Sequence, residues 1–115
     1  MVNVLGHLDI CQLIIEKVEE KNPPNNDGKT PLHFAARDGH FEICQLIIEK
    51  VEEKNPADND GRTPLHIAVY KGHLDICRLI VANVREKHPM DNNGDTPKNL
   101  ADRLEIPEIS KLFEP

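Results

Sequence analysis

Three cysteines and five of the six histidines in this 115-residue chain fall on a fixed grid. Cys11, Cys44 and Cys77 are 33 residues apart, as are His33 and His66, and again His7, His40 and His73. Thiols and imidazoles are the groups of nucleophilic catalysis and zinc ligation, so chemistry would be sought here first. Catalysis needs one exceptional residue among ordinary ones, whereas these candidates recur with the period. Equivalent cysteines in stacked helical units would be separated by the helix-packing distance, about 8–10 Å. A disulfide needs Cα atoms about 4.4–6.8 Å apart, and zinc–sulfur bonds are about 2.3 Å, so neither pairing nor a shared metal fits. The cysteines therefore read as small buried apolar side chains and the histidines as structural hydrogen-bonding posts.

Two further constellations have residue types that could carry chemistry. Asp58-Asn59-Asp60-Gly61 superficially resembles a calcium loop, but with Gly61 at loop position 6 the first and twelfth places would be Pro56 and Ile67, neither an acid. Glu49, Glu52 and Glu53 read as a solvated helix face. No Gly-x-Ser-x-Gly elbow, Walker loop or dinucleotide fingerprint is present. No catalytic residue, metal site or cofactor is expected, and an enzyme or metal-binding protein is the distant alternative.

The elements that position these residues are written in Asp60-Gly61-Arg62-Thr63-Pro64-Leu65-His66-Ile67-Ala68. Gly61 allows a reversal through positive φ, Thr63 can cap a helix, and Pro64 suits the first helical position, where no N–H is needed. Leu65, Ala68 and Val69 then form one apolar stripe. Asp27-Gly28-Lys29-Thr30-Pro31-Leu32-His33-Phe34-Ala35 precedes this stretch and Asn93-Gly94-Asp95-Thr96-Pro97 follows it, with Gly28, Gly61 and Gly94 on the same 33-residue period. Such a period marks stacked repeats. Together with Gly39-His40-Phe41-Glu42-Ile43 and Gly72-His73-Leu74-Asp75-Ile76, the pattern resembles the ankyrin repeat family across essentially the whole chain. The resemblance implies an all-α solenoid of stacked helix-turn-helix units with hairpin-like connecting loops. It also implies that His33 and His66 bond the preceding threonine hydroxyl and a neighbouring backbone carbonyl.

Read on this frame, the chain is one repeat domain over 1–115. It comprises a truncated N-terminal repeat (1–24), repeats over 25–57 and 58–90, and a C-terminal capping repeat (91–115). Residues 8–21 predict a helix, followed by a Pro- and Asn-rich loop. The second unit predicts helices over Pro31–Arg37 and Phe41–Glu53, with Gly39 ending the first. The third predicts Pro64–Tyr70 and Leu74–Lys87. In the last unit Lys98, Asn99 and Asp102 replace Leu, His and an apolar residue, and Glu105-Ile106-Pro107 replaces Gly-His, as a polar terminal face requires. One departure concerns the family's usual Gly-Ala-Asp after the second helix. Val18-Glu19-Glu20, Val51-Glu52-Glu53 and Val84-Arg85-Glu86 stand there instead, which predicts a second helix about one turn longer.

Aromatic content of 3% leaves the core to aliphatic side chains, which suits units that cover one another. Fourteen basic residues against twenty acidic give a net charge of −6, which argues for solubility and against nucleic-acid binding. No apolar run reaches membrane-spanning length, so no membrane association is expected, and the start is too short and uncharged for a signal peptide. Free thiols suit the cytoplasm or nucleus rather than secretion. A monomer is expected, with an end-to-end dimer through the open truncated N-terminal repeat as the alternative.

What remains is surface. Positions at the turn tips and at the end of the first helix drift between copies: Lys29/Arg62/Asp95, Arg37/Tyr70/Arg103 and Asp38/Lys71/Leu104. In the family resembled, such positions line the concave face, so Lys29, Arg37, Asp38, Arg62, Tyr70, Lys71, Asp95 and Arg103 are the expected partner-binding residues. The function expected is a non-catalytic protein–protein interaction module. Residues 10–23 and 43–56 are identical, which favours as the alternative a synthetic or truncated scaffold with no partner of its own. Thr63→Ala should cost about 0.5–2 kcal/mol through loss of the helix cap. A thermal melt that does not move would refute the capping role.

Overall fold

In the computed structural model, residues 22–114 are described. Residues 1–21 of the truncated N-terminal unit, with its helix over 8–21, Cys11, His7 and the open face expected to dimerise, lie outside them. Each described repeat opens with a helix set by one threonine. Thr30, Thr63 and Thr96 adopt extended backbone, and their hydroxyls accept the N–H three residues on. Proline follows at the first helical position, starting α1 (Pro31–Asp38), α3 (Pro64–Lys71) and α5 (Pro97–Arg103). The remaining early N–H is taken from a distance, since the Asn22 and Asn55 Oδ1 atoms accept from Leu32 and Leu65 at 2.9 and 3.0 Å. The orphan donors at the starts of α1 and α3 are thus accounted for one by one.

Gly39 and Gly72 end α1 and α3 in the left-handed region, φ 76° and 74°. The next helices follow at once: α2 (Phe41–Lys50) and α4 (Leu74–Asn83), with α6 (Pro107–Ser110) and a 3₁₀ turn, Lys111–Phe113, closing the last unit. Glu105 stands where Gly39 and Gly72 stand and still takes φ 57°. The Ile106 N–H reaches the Ala101 carbonyl at 3.0 Å, as His40 does Ala35 and His73 does Ala68. The turn geometry therefore persists although its glycine has gone.

The inner helices α1, α3 and α5 pack in succession, and α2, α4 and α6 form the outer layer. Their facing stripes make one core from Leu32, Ala35, Cys44, Ile47, Leu65, Ala68, Cys77, Ile80, Ala101, Ile109 and Phe113. In the last unit the places of Leu65, Val69 and Cys77 pass to Lys98, Asp102 and Ser110. Lys98 Nζ meets Asp102 Oδ2 at 2.8 Å, and the Ser110 hydroxyl donates to Asp102 Oδ1 at 2.7 Å. Positions that are core inside the stack become a polar network on its outer face.

The expected extra turn on the second helix is not there. α2 stops at Lys50 rather than Glu53, and α4 at Asn83 rather than Lys87. Val51 and Val84 are extended, a conformation that suits a β-branched side chain. In the absence of glycine, a lysine satisfies the helix end: Lys54 Nζ donates to the Val51 carbonyl at 2.7 Å and also to that of Ile48. Glu53 lies not on a helix face but in this connection, where its Oε1 accepts from Asn55 N–H at 3.0 Å. Glu105→Gly should stabilise the protein by about 0.5–1 kcal/mol by relieving a left-handed non-glycine residue. A denaturant midpoint that falls or stays put would show that Glu105 bears no strain.

Candidate functional site: the inner groove

The loops between repeats are built on an Asx residue. Oδ1 of Asn25, Asp58 and Asp91 each accepts two backbone N–H groups, two and four residues ahead, at 2.8–2.9 Å. This folds the tips tightly around Gly28, Gly61 and Gly94, all at positive φ. Successive tips are then bonded to one another. Asn59 N–H reaches the Asp27 carbonyl at 3.0 Å and its Nδ2 the Asn26 carbonyl at 3.1 Å, and Asn92 repeats both contacts to Asp60 and Asn59. A Cβ on Gly28 would lie 2.9 Å from Asn59 N, so close tip contact requires glycine there.

His33 and His66 fasten this edge to the helices. His33 Nε2 donates to the Arg62 carbonyl of the next repeat at 2.9 Å, and His66 Nε2 to that of Asp95 at 2.8 Å. A carbonyl can only accept, so the proton sits on Nε2. Nδ1 is then an acceptor, facing the Thr30 N–H and hydroxyl at 3.0 and 2.9 Å, with Thr63 the same for His66. Burial lowers the His33 pKa below 6.5, against the opposing pull of the Arg62 carbonyl and the Asp58 charge. Both rings are 1% exposed and fully engaged, so neither is placed to act on a substrate. His73 does similar work elsewhere: its Nε2 donates to the Arg37 carbonyl at 3.1 Å, with the ring lying over Gly39. This threonine–imidazole–carbonyl bridge is the one implied by the sequence resemblance, and a family model for ankyrin repeats, in three copies, matches residues 1–93.

The chain belongs to the ankyrin repeat family. No match to a curated protein accompanies that finding. Ankyrin repeats are generally protein–protein interaction modules, and the family is typically non-catalytic. Cys44 and Cys77 are free and buried, and burial pushes both thiols up to about 12, far from the thiolate form a nucleophile needs. Among the described residues, no group of three His, Cys, Asp or Glu side chains could hold a metal ion.

The ankyrin tips and inner helices enclose a groove of about 420 Å³. Seven of the eight residues expected at a binding face line it: Lys29, Arg37, Arg62, Tyr70, Lys71, Asp95 and Arg103. Asp38 does not; it lies beside the groove and holds Arg37, Nε to Oδ1 at 2.9 Å. Arg37 also stacks over Phe34 at 5.0 Å, and Lys71 lies 5.7 Å over the Tyr70 ring. Arg103 grips Asp95 with both guanidinium nitrogens, NH1 to Oδ2 at 3.2 Å. The hydrogen bond to Arg103 in turn holds the Asp95 carboxyl below the usual carboxylate range.

Sequence reasoning missed the groove floor, Phe34, Ile67 and Leu100, and the loop organisers Asn25, Asp58 and Asp91. Both sets sit on the 33-residue period, so alignment of the copies held the signal. His33→Asn should flatten the acid dependence of stability. A His held neutral stabilises fully above its unfolded pKa near 6.5, and loses that contribution as pH falls from there toward its lowered folded value, by up to about 1.4 kcal/mol per pH unit. Asn99 already serves Thr96 this way without titrating, its Oδ1 accepting the Thr96 N–H at 3.0 Å. Melts at pH 7.5 and 5.5 should differ less in the variant than in the parent, and equal differences would refute the role.

Proposed function

We propose that this ankyrin protein is a non-catalytic binding module that grips a protein partner through its concave groove and loop tips. The observation that carries the reading is the convergence of seven side chains, chosen for their drift between repeats, on one groove. Tyr70 stands 63% exposed at its centre, flanked by Arg37 and Arg103 at the same place in neighbouring repeats. Tyr and Arg are the side chains most often found as binding anchors. The groove wall is fastened by bonds between tips and by buried imidazoles, so little ordering entropy is lost on association. Two free buried thiols support a reducing setting, the cytoplasm or nucleus.

The identity of residues 10–23 with 43–56 favours a second reading, a synthetic or truncated scaffold with no partner of its own. Crosslinking with mass spectrometry in cells separates the two. Arg37→Ala with Tyr70→Ala should leave the melt unchanged and weaken partner capture by at least about tenfold. Captured proteins indifferent to these substitutions would favour the scaffold.

A further inference from the structure

The protein as a whole is acidic, but its groove is not. Five cations, Lys29, Arg37, Arg62, Lys71 and Arg103, line it against two carboxylates, Asp91 and Asp95, in a chain of net charge −6. Asp91 is buried, with its Oδ1 occupied by the loop N–H groups. Asp95 is taken by Arg103, and Arg37 by Asp38. Lys29, Arg62 and Lys71 enter no ion pair among the described residues. The unpaired positive charge is therefore concentrated on the tips of the second and third units and the end of α3. The apolar floor of Phe34, Ile67 and Leu100 runs beneath it, one residue per repeat. Low-dielectric walls of this kind focus the field of the charges above them.

We propose that the groove takes an extended acidic peptide segment of its protein partner, with carboxylates against Lys29, Arg62 and Lys71 and apolar side chains on the floor. This rests on the groove being the binding face. Equivalent residues in adjacent repeats are a helix-packing distance apart, about 8–10 Å, and an extended chain advances about 3.3 Å per residue. One residue in about every three therefore meets the same feature of the next repeat, and acidic residues should recur at that interval. The Asp95–Arg103 pair closes the pattern at the last unit, where the cation is already neutralised and offers the segment nothing.

That pair supplies a test with an unusual sign. The Asp95 backbone, which bonds His66 and Asp91, is untouched by Asp95→Asn, while Arg103 loses its partner. The protein would be used to select binders from a display library of random twelve-residue segments, and the selected peptides measured by fluorescence anisotropy. Selected sequences should be rich in Asp and Glu, weaken with salt and lose at least about tenfold in affinity on Lys29→Glu with Arg62→Glu. They should bind Asp95→Asn about two- to fivefold more tightly, the worth of one exposed ion pair. Binders that need Tyr70 but carry no acidic bias, or that do not tighten on Asp95→Asn, would overturn this inference and leave the proposed function standing. Binders indifferent to Tyr70 and to the charge reversals would sink both. Tighter binding of a twelve-nucleotide single-stranded DNA than of any acidic peptide would assign the groove to nucleic acid instead.

Discussion

A backbone carbonyl shared between neighbouring repeats holds this molecule together. Arg62 and Asp95 each present one at the foot of a hairpin loop, where it accepts from the Asp58 or Asp91 N–H of its own loop and from a buried imidazole, His33 or His66, of the unit before. An isolated repeat would keep the bond within its own loop and lose the imidazole's, worth about 0.5–1.5 kcal/mol net. The same ring completes the cap of its own helix through Nδ1. Helix initiation within a unit and adhesion between units are therefore one event, and cooperativity follows from the chemistry of a single side chain.

Around that bond the apolar residues need no centre. Leu65, Ala68 and Ile80 are fully covered, although the core has Phe113 as its one buried aromatic among the described residues. Coverage comes from helices on either side, and small residues such as Ala35, Ala68 and Ala101 let the inner helices approach closely. The cysteines belong to this logic. Cys44 and Cys77 fill the same gap in successive units, and Ser110 takes that place where the surroundings turn polar.

Much of this could be read from the chain, because the period aligns each residue with its counterparts. The threonine caps, the positive-φ glycines and the alternation of short helices follow from Gly28, Thr30, Pro31 and their repeats, and the family finding agrees. The ends of the second helices did not. Val51-Glu52-Glu53-Lys54 has the composition of a continuing helix, and its true state depends on the Lys54 ammonium folding back onto carbonyls, a contact with no signature in local propensity. Glu105 carries no such signature either: nothing in its own preference marks the left-handed backbone that accompanies the Ile106 N–H bond to the Ala101 carbonyl. In the groove, the drift of residues 37, 70 and 103 was visible, but the pairing of Arg103 with Asp95 arises only when a helix end folds back over its own loop tip, and that of Arg37 with the adjacent Asp38 depends on side-chain conformation.

Asn99 has a consequence for assembly. A histidine there would carry, beyond its Nδ1 acceptor, an Nε2–H donor able to reach the next carbonyl, as those of His33 and His66 do; the shorter amide returns only to Thr96. With Lys98 and Asp102 alongside, that surface gives an incoming copy neither a hydrogen-bond donor of the repeating kind nor an apolar seat. Head-to-tail contacts that do not close on themselves grow into fibres. A protein built from near-identical units is exposed to that hazard, and one amide in place of one imidazole makes this face a poor template for propagation.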